Sequence, residues 1–348
     1  MKNVLIIGGS GYLGTVITKN LLNQKFNVKI IDNFMYGDCF IKDLPDNFKI
    51  IKKKIKDASE INIDDLENID VCIFLSALSN NPIDNLNPKK AYDETKDYTL
   101  AVAKLCKKKN IKFIFPSSCS VYGKNDLEFV NEESEVNPLT FYSINKYEIE
   151  IELLKLSDKN FSPIMLRIAT VLGFSEMMRF DLYINMFIGM LLTKNKIVLN
   201  SDGLAWRPNV DINDVAKVFV GLIDENITQP LILNVGNEEN TLRVIDVVEL
   251  LKNQNPTLIV EEFTNNKAFK NVKDDIIKNN KDERSYKVSF SKIKKDFPNL
   301  YPTTKVYDAI YNLTKRLREL DLTLDNFNSN KFYRLQRLQY LIKNNLYP

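Results

Sequence analysis

The chain has 348 residues, 44% hydrophobic and 27% charged, with 48 Lys+Arg against 45 Asp+Glu and a net charge of +3. That composition excludes a mostly disordered chain and a disulfide scaffold, and the balanced charge gives no footing for nucleic-acid binding. Histidine is absent, which removes every mechanism that needs an imidazole. Proton transfer near neutral pH then falls to Tyr, Lys, Cys, Ser or a carboxylate. No apolar run approaches the roughly 18 residues of a membrane span. The opening MKNVLIIGGSGYLG does not read as a signal peptide, because its apolar run is short and ends in glycines. Cys39, Cys72, Cys106 and Cys119 lie far apart with no C-x-x-C pair. The reading is a cytoplasmic chain with free thiols and no metal site.

In chain order, residues 2–7 read as a buried strand ended by glycines, and 12–24 as a helix carrying Leu13, Val16, Ile17 and Leu21 at helical spacing. Residues 28–31 and 71–75 are further strands. The segment 89–109 is a long helix closed by lysines and Asn110. Residues 111–115 form a strand ended by Pro116, 143–156 a helix, and 164–168 another strand. Strands alternating with helices imply βαβ units and a doubly wound parallel sheet. The alternation fades after about residue 172, as a smaller mixed second domain would produce. In the tail, Phe332, Leu335, Leu338 and Leu341 recur at helical spacing among Arg and Lys. That pattern suits a helix packed on the body or on a second subunit; a helix on a membrane surface is the other reading.

Gly8-Gly9-Ser10-Gly11-Tyr12-Leu13-Gly14 lies between the first strand and the first helix. Glycines there let a pyrophosphate reach backbone amides at a helix N-terminus. Asp32 ends the next strand at the distance expected of a carboxylate that accepts hydrogen bonds from adenosine ribose hydroxyls. It would repel a 2′-phosphate, which favours NAD over NADP. Asp57 either caps the following helix or meets the adenine. Further on, Ser117-Ser118-Cys119-Ser120-Val121-Tyr122-Gly123 follows a strand, and Tyr142-Ser143-Ile144-Asn145-Lys146 opens a helix. Tyr142 and Lys146 share a face at i and i+4, and an ammonium beside a phenol is expected to lower the phenol pKa, making a general base without histidine. Ser118 is placed to bridge a substrate oxygen to that phenolate. Only nine arginines occur, none before Arg167, and Arg167, Arg179, Arg207 and Arg284 fall in or beside the later motifs. Their fixed fork suits phosphate. Arg207 and Arg284 are the candidates for a diphosphate, with domain-packing ion pairs as the other reading, and Arg167 reads as structural.

With these segments in order, the sequence resembles the extended short-chain dehydrogenase/reductase family, in its sugar-nucleotide epimerase/dehydratase branch. The resemblance runs from residue 1 to about 315, through GGSGYLG, SSCSVYG, PLTFYSINK, LRIATVLG, WRPNVDINDVA, LNVG and DERSYKVSFSKI. It implies a Rossmann-like doubly wound parallel sheet with a smaller mixed α/β substrate domain: 1–172 for NAD with a returning segment near 207–236, 173–320 for the nucleotide sugar, and 321–348 as a helical tail. It implies NAD as cofactor, held by Gly8, Ser10, Gly11, Tyr12, Leu13, Gly14, Asp32, Asn33, Asp57, Ala77, Tyr142 and Lys146. Ser118, Tyr142 and Lys146 become the catalytic set. Ser118, Cys119, Arg179, Arg207 and Arg284 become substrate contacts, with a nucleotide-diphosphate sugar as partner. A homodimer through helices 89–109 and 143–156 is implied as well.

The chain departs from the family at several places. Phe74-Leu75-Ser76-Ala77 stands for His-Leu-Ala-Ala, Asp211 for a histidine, and Thr95 and Thr170 for asparagines. Cys119-Ser120 replaces the Asp-Glu that 4,6-dehydratases of this branch carry after the catalytic Thr. The expected reaction is therefore 4-epimerisation, with C4 dehydrogenation or ketoreduction as the runner-up. A 4,6-dehydratase, a 3,5-epimerase and a non-catalytic NAD-binding protein stand lower.

Overall fold

The computed structural model describes residues 1–37, 49–52, 60–77, 88–125, 128–199, 201–261, 285–344 and 346. In chain order the first half runs β1 (Asn3–Ile7), α1 (Tyr12–Asn23), β2 (Asn27–Asp32), β3 (Lys49–Lys52), β4 (Val71–Phe74), α2 (Pro88–Lys109), β5 (Lys112–Ser118), α3 (Phe141–Leu156) and β6 (Ile164–Ile168). There follow β7 (Thr170–Leu172), α4 (Tyr183–Lys194), β8 (Lys196–Val198), β9 (Trp206–Asp211), α5 (Ile212–Gly221), β10 (Leu231–Val235), β11 (Thr241–Arg243), α6 (Val244–Gln254) and β12 (Ile259–Glu261). The chain closes with α7 (Ser291–Asp296), α8 (Val306–Glu319), α9 (Leu324–Phe327) and α10 (Arg334–Lys343). Among the described residues no helix is long and apolar enough to cross a membrane.

Seven strands form one sheet in the order β10-β6-β5-β4-β1-β2-β3, every pairing parallel. The order reverses between β1 and β4, which opens a crevice at the carboxyl ends of the strands. Alternate strand residues point to opposite faces, so the sheet has two cores. Val4, Ile6, Ile30, Ile73, Ile114 and Leu166 pack with Val16, Ile17 and Leu21 of α1 and Val215 and Phe219 of α5. Leu5, Ile7, Ile31, Phe74, Phe113 and Met165 pack with Val102 and Cys106 of α2 and Ile149 and Leu153 of α3. A three-stranded sheet, β11-β9-β7, and a two-stranded sheet, β12-β8, lie outside it.

One expectation changes in detail, and one stretch of the tail is more packed than its polar composition suggests. The strand expected to stop at Pro116 continues to Ser118. Its pairing with β4 ends at Ile114, while its pairing with β6 runs on through Pro116 and Ser118. Beyond Ile114 one side of β5 has no strand neighbour among the described residues, and a residue without an N–H is tolerated there. The polar stretch 325–330 is not an open connection. Phe327 within it is buried, packs edge-on to Phe180 with ring centroids 4.9 Å apart, and lies so close to Gly189 that a Cβ there would collide with it. The tail helix α10 buries Leu338 and Leu341 against this same chain.

Candidate functional site

The glycine turn is shaped by what cannot fit beside it. Gly8 has φ +83°, and a Cβ on it would lie 2.7 Å from the Ser76 backbone nitrogen. A Cβ on Gly14 would lie 2.6 Å from the Gly9 carbonyl oxygen. Gly11 precedes α1 with no side-chain cap, so the first amides of that helix are left for a ligand. Tyr12 and Leu13 supply two of them. The Tyr12 phenol is engaged elsewhere, donating to the Gly173 carbonyl oxygen at 2.8 Å and accepting from Asn185 at 3.1 Å. The Ser10 hydroxyl is buried and has no hydrogen-bond partner, which in a native site marks a place for a ligand or water. These features fit a dinucleotide.

Asp32 is tied into the cradle itself. Its Oδ2 accepts from the Ser10 amide at 2.9 Å and its Oδ1 from the Phe34 amide at 2.7 Å. Burial pushes its carboxyl pKa up, and these backbone donors and the Arg334 charge pull it back. The carboxylate thus joins β1 to β2 and keeps lone pairs for ribose hydroxyls. Asn33 closes its own turn by accepting from the Met35 amide at 3.1 Å. Ala77 is half-buried just past β4. Asp57 and Arg284 lie outside the described residues.

Across the crevice, Ser118 ends β5, and its Oγ accepts from the Ser120 amide at 3.1 Å. Thr140 and Ser143 cap α3 reciprocally, which fixes Tyr142 in the first turn, where the Ser118 hydroxyl acts on its phenol. Lys146, one turn on, does not reach the phenol oxygen through a direct bond. Its Nζ donates to the Pro116 carbonyl oxygen at 2.7 Å, 4.4 Å from the Phe115 ring centre and 5.8 Å from that of Tyr142.

The expected charge relation is corrected by this geometry. Desolvation pushes the Tyr142 phenol up, and the groups pulling it down are Arg179 and Ser118. Burial pushes the Lys146 ammonium down to about 7, against the nearby Glu150 charge. A lysine whose folded pKa is depressed holds fewer protons folded than unfolded between about pH 7 and its ordinary value near 10.4. Stability from this group therefore rises with pH across that window. Denaturant unfolding at pH 7, 8 and 9 should show a smaller rise in Lys146→Met than in the parent chain, and equal slopes would contradict the assignment.

Arg179 grips Asp181 through two bonds of 3.0 and 3.1 Å, and its charge acts on the candidate base Tyr142. Cys119 turns inward. It is buried, its thiol donates to the Arg167 carbonyl oxygen at 3.1 Å, and burial pushes its pKa far up. That placement suits packing rather than substrate contact. Arg207 stands on the separate β9 strand, where its guanidinium bonds the Trp206 carbonyl oxygen at 2.9 Å and lies 5.9 Å from the Tyr286 ring centre. Arg167 is structural, as its strand-end position suggested. It pairs with buried Glu150 at 2.7 Å and donates to the Tyr122 hydroxyl at 3.0 Å. In the α2–α3 contact, where Thr95 replaces an asparagine, the amide of Asn145 on α3 donates to the Tyr92 carbonyl oxygen at 2.7 Å.

Sequence reasoning missed Arg334 and Arg337 of the tail. The Arg334 guanidinium lies 3.9 Å from the centre of the Tyr36 ring, and the Arg337 Nε donates to the Met35 carbonyl oxygen at 2.8 Å. The signal was faint: two of the nine arginines, in a tail that carries only two lysines.

Residues 4–236 match the model of the NAD dependent epimerase/dehydratase family, and the chain belongs to that family. It is an enzyme of NAD-dependent sugar-nucleotide modification. Among curated relatives, a Methanocaldococcus jannaschii protein named "Putative UDP-glucose 4-epimerase" is 25% identical over 252 residues, covering 71% of this chain and 81% of that one. UDP-glucuronic acid decarboxylase 1 of Danio rerio is 24% identical over 263 residues, 72% of this chain and 60% of that one. Among solved structures, UDP-N-acetylglucosamine 4-epimerase from Methanobrevibacter ruminantium superimposes with a TM-score of 0.77 at 22% identity, covering 92% of this chain and 99% of that one. That likeness establishes the fold.

Proposed function

We propose that the chain is a 4-epimerase of a nucleotide-diphosphate sugar. The observation that carries the reading is Tyr142 in the first turn of α3, with the Ser118 hydroxyl at the end of β5 among the groups acting on its phenol and Lys146 one helical turn away. Bound NAD supplies a two-electron hydride acceptor. The chain's own residues handle the proton. Tyr142, as phenolate, takes it from the C4 hydroxyl, Ser118 hydrogen-bonds the same oxygen, and Tyr142 returns the proton after the 4-keto sugar has turned over in the pocket. Cys119 and Ser120 stand where a dehydratase of this branch keeps a carboxylate pair, and the thiol is turned into the core. No side chain is then offered to take a C5 proton from that position. Gly8, Gly11, Gly14 and Asp32 are assigned to the dinucleotide, and Arg179 to the sugar side.

Proton NMR in D₂O with NAD and a panel of UDP-, GDP-, CDP- and dTDP-sugars tests this. The expected product is a C4 epimer with no deuterium on any ring carbon. A released 4-keto sugar, or deuterium beside the carbonyl, would overturn epimerisation and point to a dehydrogenase, a dehydratase or a 3,5-epimerase according to the labelled carbon. We also assign a homodimer to the α2–α3 face, where Ile144 and Leu154 stand exposed. Light scattering should return twice the chain mass.

A further inference from the structure

The tail ties together two segments, the one that follows β2 and the one that precedes α4. On one side, Arg337 holds the Met35 carbonyl oxygen and Arg334 covers Tyr36, both in the segment that follows Asp32. On the other, the Arg334 amide donates to Asp181 Oδ2 at 3.4 Å, the Phe180 amide donates to the Phe332 carbonyl oxygen at 3.0 Å, and Phe180 packs edge-on to Phe332. Arg334 itself is 3% exposed. Among the described residues its guanidinium has one long hydrogen bond, 3.4 Å to the Lys331 carbonyl oxygen. Asp181, the nearby carboxylate, is gripped in bidentate fashion by Arg179. Asp32, the other, is occupied by the Ser10 and Phe34 amides.

A buried guanidinium carries five donors and a full charge, and desolvating it without partners is costly. Burial is the main cause pushing the Arg334 pKa down and Arg179 adds to it, while Tyr36, Asp181 and Asp32 offset only part of that. The side chain therefore has capacity for an anionic ligand. The bank it covers is the one carrying Asp32, Met35 and Tyr36, and the Ser10 amide that binds Asp32 belongs to the glycine turn. An anion held by the glycine turn, as the phosphate portion of a dinucleotide would be, faces that bank.

We propose that the C-terminal segment completes the cofactor site, with Arg334 binding the phosphates of the dinucleotide from the side opposite the glycine turn and the tail closing over them. The proposal rests on the glycine turn being the cofactor site, and its test separates the two. Affinities of the full chain for ADP-ribose and for adenosine are measured by calorimetry, and affinity for UDP is measured on the NAD-loaded chain. Arg334→Gln should weaken ADP-ribose about 10- to 100-fold and leave adenosine and UDP within about threefold, while Arg334→Lys keeps part of the difference. Unchanged ADP-ribose binding in Arg334→Gln overturns the proposal, and so does a loss confined to UDP. A parent chain that fails to bind ADP-ribose overturns the cofactor-site reading instead. Should Arg334→Gln not fold, hydrogen exchange on the parent chain decides. Amides of residues 333–343 should slow with ADP-ribose and not with adenosine, and no slowing counts against the tail's role.

Discussion

Tyr142→Phe should lower turnover by about 10²- to 10⁴-fold, the usual contribution of a positioned general base, while binding of NAD stays within about threefold. The substitution removes one oxygen. Lys146 keeps its bond to the Pro116 carbonyl oxygen, and the α3 cap of Thr140 and Ser143 lies outside the change. What disappears is the oxygen proposed to exchange a proton with the C4 hydroxyl, on which the Ser118 hydroxyl also acts. Single-turnover reduction of NAD, followed by absorbance, reads the chemical step, and equilibrium titration reads cofactor binding. Turnover within tenfold of the parent would end the assignment of Tyr142 as base. Loss of NAD binding with little change in the chemical step would make it a positioning residue.

Glu150→Ala should destabilise the fold by about 3–5 kcal/mol, because it strands a buried cation. Glu150 and Arg167 are both almost fully buried and share hydrogen bonds of 2.7, 3.1 and 3.2 Å. Burial works against the Arg167 charge, and Glu150 more than offsets it, holding the guanidinium above its ordinary range. The pair does not stand alone. Ser117 bonds Glu150, Arg167 donates to the Tyr122 hydroxyl, and that hydroxyl donates to Asn234 on β10 at 2.8 Å. One network therefore joins α3, β5, β6 and β10 beneath the catalytic turn. Denaturant unfolding measures the loss. The double substitution Glu150→Met with Arg167→Met should cost less than either single alanine change, since no charge is left buried without a partner. A Glu150→Ala penalty below about 1 kcal/mol would mean that water reaches the guanidinium.

The parts of this molecule that were readable in its sequence are those where local chemistry dictates the backbone. The glycine turn needs glycine at Gly8 and Gly14 because neighbouring backbone would strike a Cβ, so spacing alone located β1, α1 and Asp32. Tyr142 and Lys146 share a face for the same local reason. Their electrostatics were not readable. Spacing puts an ammonium near a phenol, but only the fold shows the ammonium turned to Pro116 and Arg179 supplying the cation that acts on Tyr142. Phe327 was hidden in a polar stretch, since one aromatic has no period, and Arg334 acquires meaning only from a contact with Tyr36 nearly three hundred residues away. Cys119 shows the converse: a reactive residue type at a suggestive position, turned into the core by the tight helical turn that follows β5.

Synthesis runs from β1 toward the tail, and the place of β10 sets a timetable for it. The strand occupies one end of the main sheet against β6, yet β7, α4, β8, β9 and α5 all come between them in the chain. While those segments leave the ribosome, the Ile164–Ile168 strand presents a bare apolar flank able to recruit a strand from another nascent chain. The hazard ends when Leu231–Val235 emerges and docks. Fragments stopped short of that strand should be the ones that aggregate and depend on chaperones, whereas fragments that include it can seal the sheet on their own.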